Sequence, residues 1–215
     1  MKKELSNPSL NRLCAIYELL GDFEKKGIRK ASSTELGRIL AFGSHNIRKD
    51  ISYLGEIGSY GAGYDVGKLR RHIGNALCLS KKRPACVVGL GRLGSAMLAY
   101  VGFEEKGYSI IAGFDSDINL LDTIKTTVPV YPAHEITEIV RENKIELGII
   151  AVPASAAKDA AHKLILGGIK GIVNFAPEVI PCDDKSVHVA NIDIIKEFTI
   201  LSALLSIDEQ KNMAL

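Results

Sequence analysis

A chain of 215 residues, 47% hydrophobic and 24% charged with no Trp, can bury one sizeable core and a smaller second one, and its composition excludes a disordered chain. No apolar run approaches the ~18–20 residues that span a bilayer, and Met1-Lys2-Lys3-Glu4 is not followed by an apolar signal segment, so a cytoplasmic protein with no membrane partner is expected. The four cysteines, Cys14, Cys78, Cys86 and Cys182, show no CxxC or Cys/His spacing, which excludes a disulfide scaffold or structural zinc site and reads as reduced thiols.

The net charge of +2 hides an asymmetry. Through Arg83 the chain carries 16 Lys/Arg against 8 Asp/Glu, and from Pro84 onward 11 against 17. A basic segment joined to an acidic one suggests a polyanion-binding module beside a domain with a different partner.

Leu10, Leu13, Cys14, Tyr17, Leu20 and Phe23 recur at helical spacing behind Ser6-Asn7-Pro8, which predicts a first helix. Ser32-Ser33-Thr34-Glu35 is a capping box ahead of a short second helix bearing Leu36, Ile39 and Leu40. Ala41-Phe42-Gly43 breaks it, and Ser44 is expected to cap a third helix with Ile47, Ile51 and Leu54 inward. Two short helices across a tight Gly turn spell a helix-turn-helix. Three glycines within Gly58-Ser59-Tyr60-Gly61-Ala62-Gly63-Tyr64 suit the tip of a wing, and Lys68 to Leu79 reads as a linking helix.

Beyond Lys81-Lys82-Arg83-Pro84 the pattern becomes an alternation of strands and helices. Strands are predicted at Ala85–Val88, Ser109–Phe114, Val128–Tyr131, Leu147–Val152 and Gly171–Asn174. Helices fall between them, to Val101, near Ile118–Ile124, Ala133–Glu142 and Ser155–Leu166. This is an α/β class with a Rossmann-like doubly wound parallel sheet. The expected domains are a winged helix-turn-helix over residues 1–83, a dinucleotide-binding domain over 84–190 and a C-terminal dimerisation helix over 191–215.

Gly89-Leu90-Gly91-Arg92-Leu93-Gly94 follows an apolar strand and opens a helix, and Asp115 stands twenty-one residues beyond its third glycine. Gly89 permits the tight turn, Gly91 lets backbone approach a pyrophosphate, and Gly94 lets helix and strand pack closely. Asp115 would accept from ribose hydroxyls and repel the extra phosphate of NADP, favouring NADH and NAD+. Arg92 would add charge near the phosphates. Val152-Pro153 and Asn174-Phe175 end further strands bordering the same crevice, where open α/β sheets bind ligands.

On the third helix, Ser44 stands at the start, and the inward turn of Ile47 and Ile51 leaves His45, Asn46, Arg48, Lys49 and Ser52 outward. There a guanidinium and an ammonium can reach bases and phosphates of a major groove, with Ser59 and Tyr60 contributing from the wing. Taken alone, Arg48-Lys49 beside Asp50 reads equally as a solvated face.

The whole constellation resembles the Rex family of redox-sensing transcriptional repressors. The resemblance is carried, in order, by Ser32-Ser33-x-Glu35-Leu36, Ile47-Arg48-Lys49-Asp50-Ile51-Ser52-Tyr53-Leu54-Gly55-Glu56, Gly61-x-Gly63-Tyr64, Gly89 to Ala96, Phe114-Asp115-x-Asp117, Gly168-Ile169-Lys170-Gly171-Ile172 and Asn174-Phe175-Ala176-Pro177. It implies a homodimer that binds palindromic double-stranded operator DNA and is released by NADH, with NAD+ competing weakly. It also implies an exchanged C-terminal helix and a switch through Arg12, Tyr100 and Asp193 of the partner subunit. One departure is Ser59-Tyr60, where such proteins often carry a Lys-Arg pair.

Two rival classes remain open on the sequence. A small NAD-dependent dehydrogenase would need an acid or base beside the nicotinamide, and this half offers only His134 and His162 on predicted helices and His188 in an apolar Val187-His188-Val189 strand, with no room for a substrate domain. A thiol-based sensor would need a reactive cysteine, yet Cys86 should point into the core from a buried strand. Toward the C-terminus, Ile192, Ile194, Ile195, Phe198, Ile200, Leu201, Leu204 and Leu205 predict a helix apolar on more than one face.

Overall fold

The computed structural model describes residues 5–55, 63–181 and 186–213, and contacts divide the chain into two units between Lys81 and Lys82. In the first unit, α1 (Asn7–Lys25) begins behind Ser6, whose hydroxyl accepts from the Ser9 amide. After β1 (Lys30–Ala31), α2 (Ser33–Leu40) is capped by Ser32, which accepts from the Glu35 amide at 3.0 Å. The chain then turns through Ala41, in the left-handed region at φ 56°, into α3 (Ser44–Tyr53). A Cβ on Gly37 would lie 2.4 Å from the Phe42 carbonyl oxygen, so glycine at 37 is what lets the turn fold back onto α2.

Ser44 does not cap α3. Gly43 holds the cap position with no side-chain bond, and Ser44 is already helical. β2 (Tyr64–Asp65) pairs antiparallel with β1, Lys30 opposite Asp65 and Ala31 opposite Tyr64, and Gly63 enters it at φ 75°. This ribbon is the stem of the expected wing; Ser59 and Tyr60 lie outside the described residues. α4 (Val66–Ala76) starts two residues earlier than its apolar pattern suggests, because Asp65 accepts from the Lys68 amide and caps it. Leu13, Ile16, Leu20, Leu36, Ile47, Ile51, Leu69 and Ile73 form the core of this unit.

The second unit runs β3 (Arg83–Val88), α5 (Arg92–Leu98), α6 (Gly102–Glu105), β4 (Tyr108–Asp115), α7 (Ile118–Thr123) and β5 (Val130–Pro132). It continues with a 3-10 turn (Ala133–Glu135), α8 (Ile136–Glu142), β6 (Leu147–Ile150), α9 (Ala154–Gly167), β7 (Gly171–Asn174), β8 (His188–Asn191) and α10 (Ile194–Met213). All six strands are parallel in the order β5-β4-β3-β6-β7-β8, so the winding reverses between β3 and β6. That reversal is where a doubly wound sheet opens a ligand crevice.

β3 shows why its sequence is apolar from Ala85 to Val88. Cys86 and Val88 face one core layer with Phe114, Ile150 and Leu164, and Val87 faces the other with Leu90, Leu98 and Ile149. Burial pushes the Cys86 thiol up to about 12, so it is inert rather than a sensor.

Elements of the second unit also differ from expectation: β5 is Val130–Pro132 rather than Val128–Tyr131, and β6 ends at Ile150 rather than Val152. The fingerprint helix ends at Leu98 rather than Val101, and Tyr100 occupies the break, its ring folded within 2.5 Å of where a Gly102 Cβ would stand. The helix expected from Ala133 opens as a 3-10 turn and becomes α-helical at Ile136. Ile192 is not helical: its amide donates to the Asn174 carbonyl at 2.8 Å, extending the pairing of β7 with β8. Asn191 is the last residue of β8.

Candidate functional site

At the end of β3 the three glycines perform separable tasks. Gly89 lies at φ 89°, where a Cβ would come within 2.6 Å of the Ala151 carbonyl oxygen and 2.7 Å of Val152. A Cβ on Gly94 would meet the Gly89 carbonyl oxygen at 1.7 Å, so α5 can rest on the strand turn only without a side chain there. Gly91 has nothing within 4 Å of its would-be Cβ and caps α5 with no side-chain bond, leaving an open cradle of amides for an anion.

Asp115, at the end of β4, spans the cradle. Its Oδ2 accepts from the Leu90 amide at 2.6 Å and its Oδ1 from the Asp117 amide at 2.9 Å. Each oxygen retains a second lone pair, so the carboxylate braces the glycine loop and still has acceptor capacity for a ribose diol. Arg92 and Leu93 are exposed on the first turn of α5, and no acid pairs with Arg92 among the described residues.

Other expected crevice residues take different places. Leu90 reaches the loop only through its backbone; its side chain is fully buried in the layer with Val87 and Leu98. Val152 packs against Gly89, and Pro153 is exposed ahead of α9. Asn174 is buried with its amide committed: Nδ2 donates to the Glu178 carbonyl at 2.7 Å and to Asn191 Oδ1 at 2.8 Å, and Oδ1 accepts from the Ala176 amide at 3.0 Å. It shapes the loop rather than offering an amide to a ligand. Phe175 is half-buried against the Val87 layer.

In the first unit α3 presents His45, Asn46, Arg48, Lys49 and Ser52 to solvent while Ile47 and Ile51 are buried. Ser44 is half-buried at its first turn. Asp50 is not part of that solvated face. Arg12 Nε donates to Asp50 Oδ2 at 2.6 Å and Arg12 Nη2 donates to Oδ1 at 3.2 Å, with the Asp50 side chain 4% exposed. The bond to Asp50 raises the Arg12 guanidinium above its ordinary value, partly opposed by burial. Sequence reasoning missed this anchor, although Asp50 stands three residues after Ile47 and one before Ile51, on the inward arc. At the far end of α3, His72 Nε2 lies 3.0 Å from the Leu54 carbonyl oxygen.

Each of the three expected switch residues has partners within its own unit. Arg12 is engaged by Asp50 and by Ser9 Oγ at 3.2 Å. Tyr100 is 61% exposed, its ring set edge-on to Phe103 at 5.5 Å. Asp193 Oδ1 accepts from the Lys196 amide at 3.0 Å, capping α10.

Residues 80–178 match the family profile described as "CoA binding domain", and residues 4–52 match one described as "Putative DNA-binding protein N-terminus". In fold the chain is similar to RSP, a Rex-family repressor: the crystal structure in complex with β-NAD+ and operator DNA is 27% identical, covers 98% of this chain and 97% of that one, and superposes with a TM-score of 0.86. The β-NADH complex of RSP is 26% identical, covers 99% and 100%, and gives 0.85. In sequence the chain is 38% identical over 199 residues to the redox-sensing transcriptional repressor Rex of Carboxydothermus hydrogenoformans, spanning 93% of this chain and 95% of that protein. It is 39% identical over 205 residues to Rex 1 of Thermotoga maritima, spanning 94% and 96%. A helix-turn-helix, a glycine cradle braced by an acid, and likeness at this identity along nearly the full length lead to one conclusion: the chain belongs to the Rex family of redox-sensing transcriptional repressors.

Proposed function

We propose that this protein is a cytoplasmic, homodimeric repressor that holds palindromic operator DNA through its helix-turn-helix units and releases it when NADH fills the crevice beside Gly91. Transcription would then follow the NADH/NAD+ ratio. The observation that carries this reading is the joint presence, in one chain, of a cradle open at Gly91 with Asp115 across it, and of α3 with its outward Arg48 and Lys49. The amides of Gly91, Arg92 and Leu93 at the first turn of α5 and the side chain of Arg92 would hold the pyrophosphate, while the Gly89 and Leu90 amides, spent on the Phe114 carbonyl and on Asp115, shape the turn, and Asp115 would hold the adenine-side ribose. Bound there, the dinucleotide contributes differential affinity for two states of the protein and no chemistry of its own.

The rival ligands are disfavoured on the same residue. A carboxylate beside the ribose repels a phosphorylated sugar, whether the 2′-phosphate of NADP or the 3′-phosphate of coenzyme A. The family is one of repressors, and no catalytic role is assigned to His134, His162 or His188. His162 and His188 are exposed, and His134 lies near Glu135 on an open surface.

Titration of the purified protein with NADH, NAD+, NADPH and coenzyme A, on and off operator DNA and with no second substrate, tests the proposal. NADH should bind most tightly and dissociate the DNA. Tight coenzyme A binding, or operator binding indifferent to NADH, would overturn it.

A further inference from the structure

Three polar contacts from three different elements reach α3. Arg12 of α1 holds Asp50, His72 of α4 meets the Leu54 carbonyl, and Ser33 of α2 accepts from Arg48 Nη1 at 3.0 Å. The first two hold the helix itself. The third holds a side chain that faces outward from it.

Ser33 is suited to that task. Capping of α2 falls to Ser32, so the neighbouring hydroxyl is not committed to the Glu35 amide. Ser33 is only 9% exposed, and its position is set by the first turn of α2. Arg48 by contrast is exposed, at the middle of the outward arc with Asn46, Lys49 and Ser52. A guanidinium is a planar fork of five N–H donors, so tethering one Nη1 hydrogen sets the plane and leaves donors on the other edge. An untethered arginine spreads over many rotamers and meets phosphates as readily as bases.

We infer that Ser33 is a positioning residue that aims Arg48 at a base edge, making Arg48 the reader of one guanine in each half-site through O6 and N7. This rests on the reading of the protein as an operator-binding repressor. Its signature differs from that of a phosphate contact. A base reader confers preference at one position and leaves the salt dependence alone, whereas a phosphate contact weakens every sequence alike and contributes about one unit to the salt slope.

The test uses the full-length protein and a duplex recovered by it from a randomised pool, scanned by replacing each base pair in turn. Ser33→Ala should weaken binding to the recovered duplex about fivefold, the worth of one lost hydrogen bond. The loss should appear as relaxed discrimination at one G·C pair per half-site, with non-specific affinity and salt slope unchanged. Ser33→Thr, which keeps the hydroxyl, should restore discrimination, and adding Ser33→Ala to Arg48→Ala should change nothing more. Arg48→Lys keeps the charge and loses the fork, so it should lose the same base preference whether or not Ser33→Ala folds well. Uniform loss on all sequences with a flattened salt slope, or intact G·C discrimination in Ser33→Ala or in Arg48→Lys, would overturn the inference. Failure of the wild-type protein to recover any duplex would overturn the repressor reading and this inference together.

Discussion

A side chain at Gly91 would enter open space, whereas one at Gly94 would strike the Gly89 carbonyl oxygen at 1.7 Å, so substitutions at the two positions separate binding from folding. Gly91→Asp should leave thermal stability near wild type and abolish NADH binding by calorimetry, because its carboxylate would occupy the anion cradle. Gly94→Ala should cost about 3 kcal/mol in denaturant unfolding, the overpacking range for a site with no room to relax. Arg12→Ala should destabilise the first unit by about 3 kcal/mol, since it strands the Asp50 carboxylate, whose side chain is 4% exposed; a loss under 0.5 kcal/mol would mean the pair is only a surface contact. Cys86 gives a pH dependence of definite sign. Its thiol is pushed from 9.0 to about 12 in the fold, so the unfolded chain ionises first and stability is lost as pH rises from 9 toward 12. The slope is about 1.4 kcal/mol per pH unit. Cys86→Ala lacks that slope, so its stability deficit should shrink between pH 9 and 11 in urea titrations, and parallel curves would contradict the assignment.

Among the elements, α10 stands apart. Ile195, Phe198, Leu201 and Leu205 are each more than half exposed, and no residue of the helix with a described side chain is buried. A 20-residue helix with apolar side chains on several faces gains too little from its own chain, which fits the proposed packing against a partner subunit. Removal of the residues beyond Asn191 should therefore yield a monomer by light scattering, and a persistent dimer would reject this role. The helix-turn-helix and the sheet strands, the one through His188 included, were legible as patterns: apolar periodicity, the capping box at Ser32 and the glycine fingerprint. Their boundaries were less so. α4 starts where Asp65 caps it and α5 stops where Tyr100 folds over Gly102, and neither contact leaves a trace in hydrophobic spacing.

For the molecule as a whole, NADH can release DNA only if it binds the DNA-incompetent arrangement more tightly, and operator DNA must then weaken NADH binding by the same factor. Equal NADH affinities with and without saturating operator DNA would refute the switch. The coupling contacts implied by resemblance need a test fitted to the structure. Arg12→Ala would also free Asp50 and disturb α3, so it confuses signalling with DNA affinity. Asp193→Asn is cleaner, because asparagine still accepts from the Lys196 amide while the charge is lost. With Tyr100→Phe it should keep NADH binding and raise the NADH concentration needed for release in an anisotropy titration. Unchanged release in both variants would place the coupling elsewhere.

The linear order of residues determined the class of each half: polarity, apolar period and glycine spacing are local, and strand, helix and phosphate loop follow from them. It also determined which α3 residues face outward, since Ile47 and Ile51 settle the inward side. Only the tertiary structure decided what the polar groups with distant partners do. Asp50 and Asn174 read as a solvated acid and a ligand amide, yet one is the buried partner of Arg12, 38 residues away, and the other is spent on Asn191, 17 residues away. Asp115 acts as a brace because folding brings the Leu90 amide to it across 25 residues. Hydrogen-bond partners of buried polar groups are chosen by packing between distant segments, and spacing along a chain carries no record of that choice.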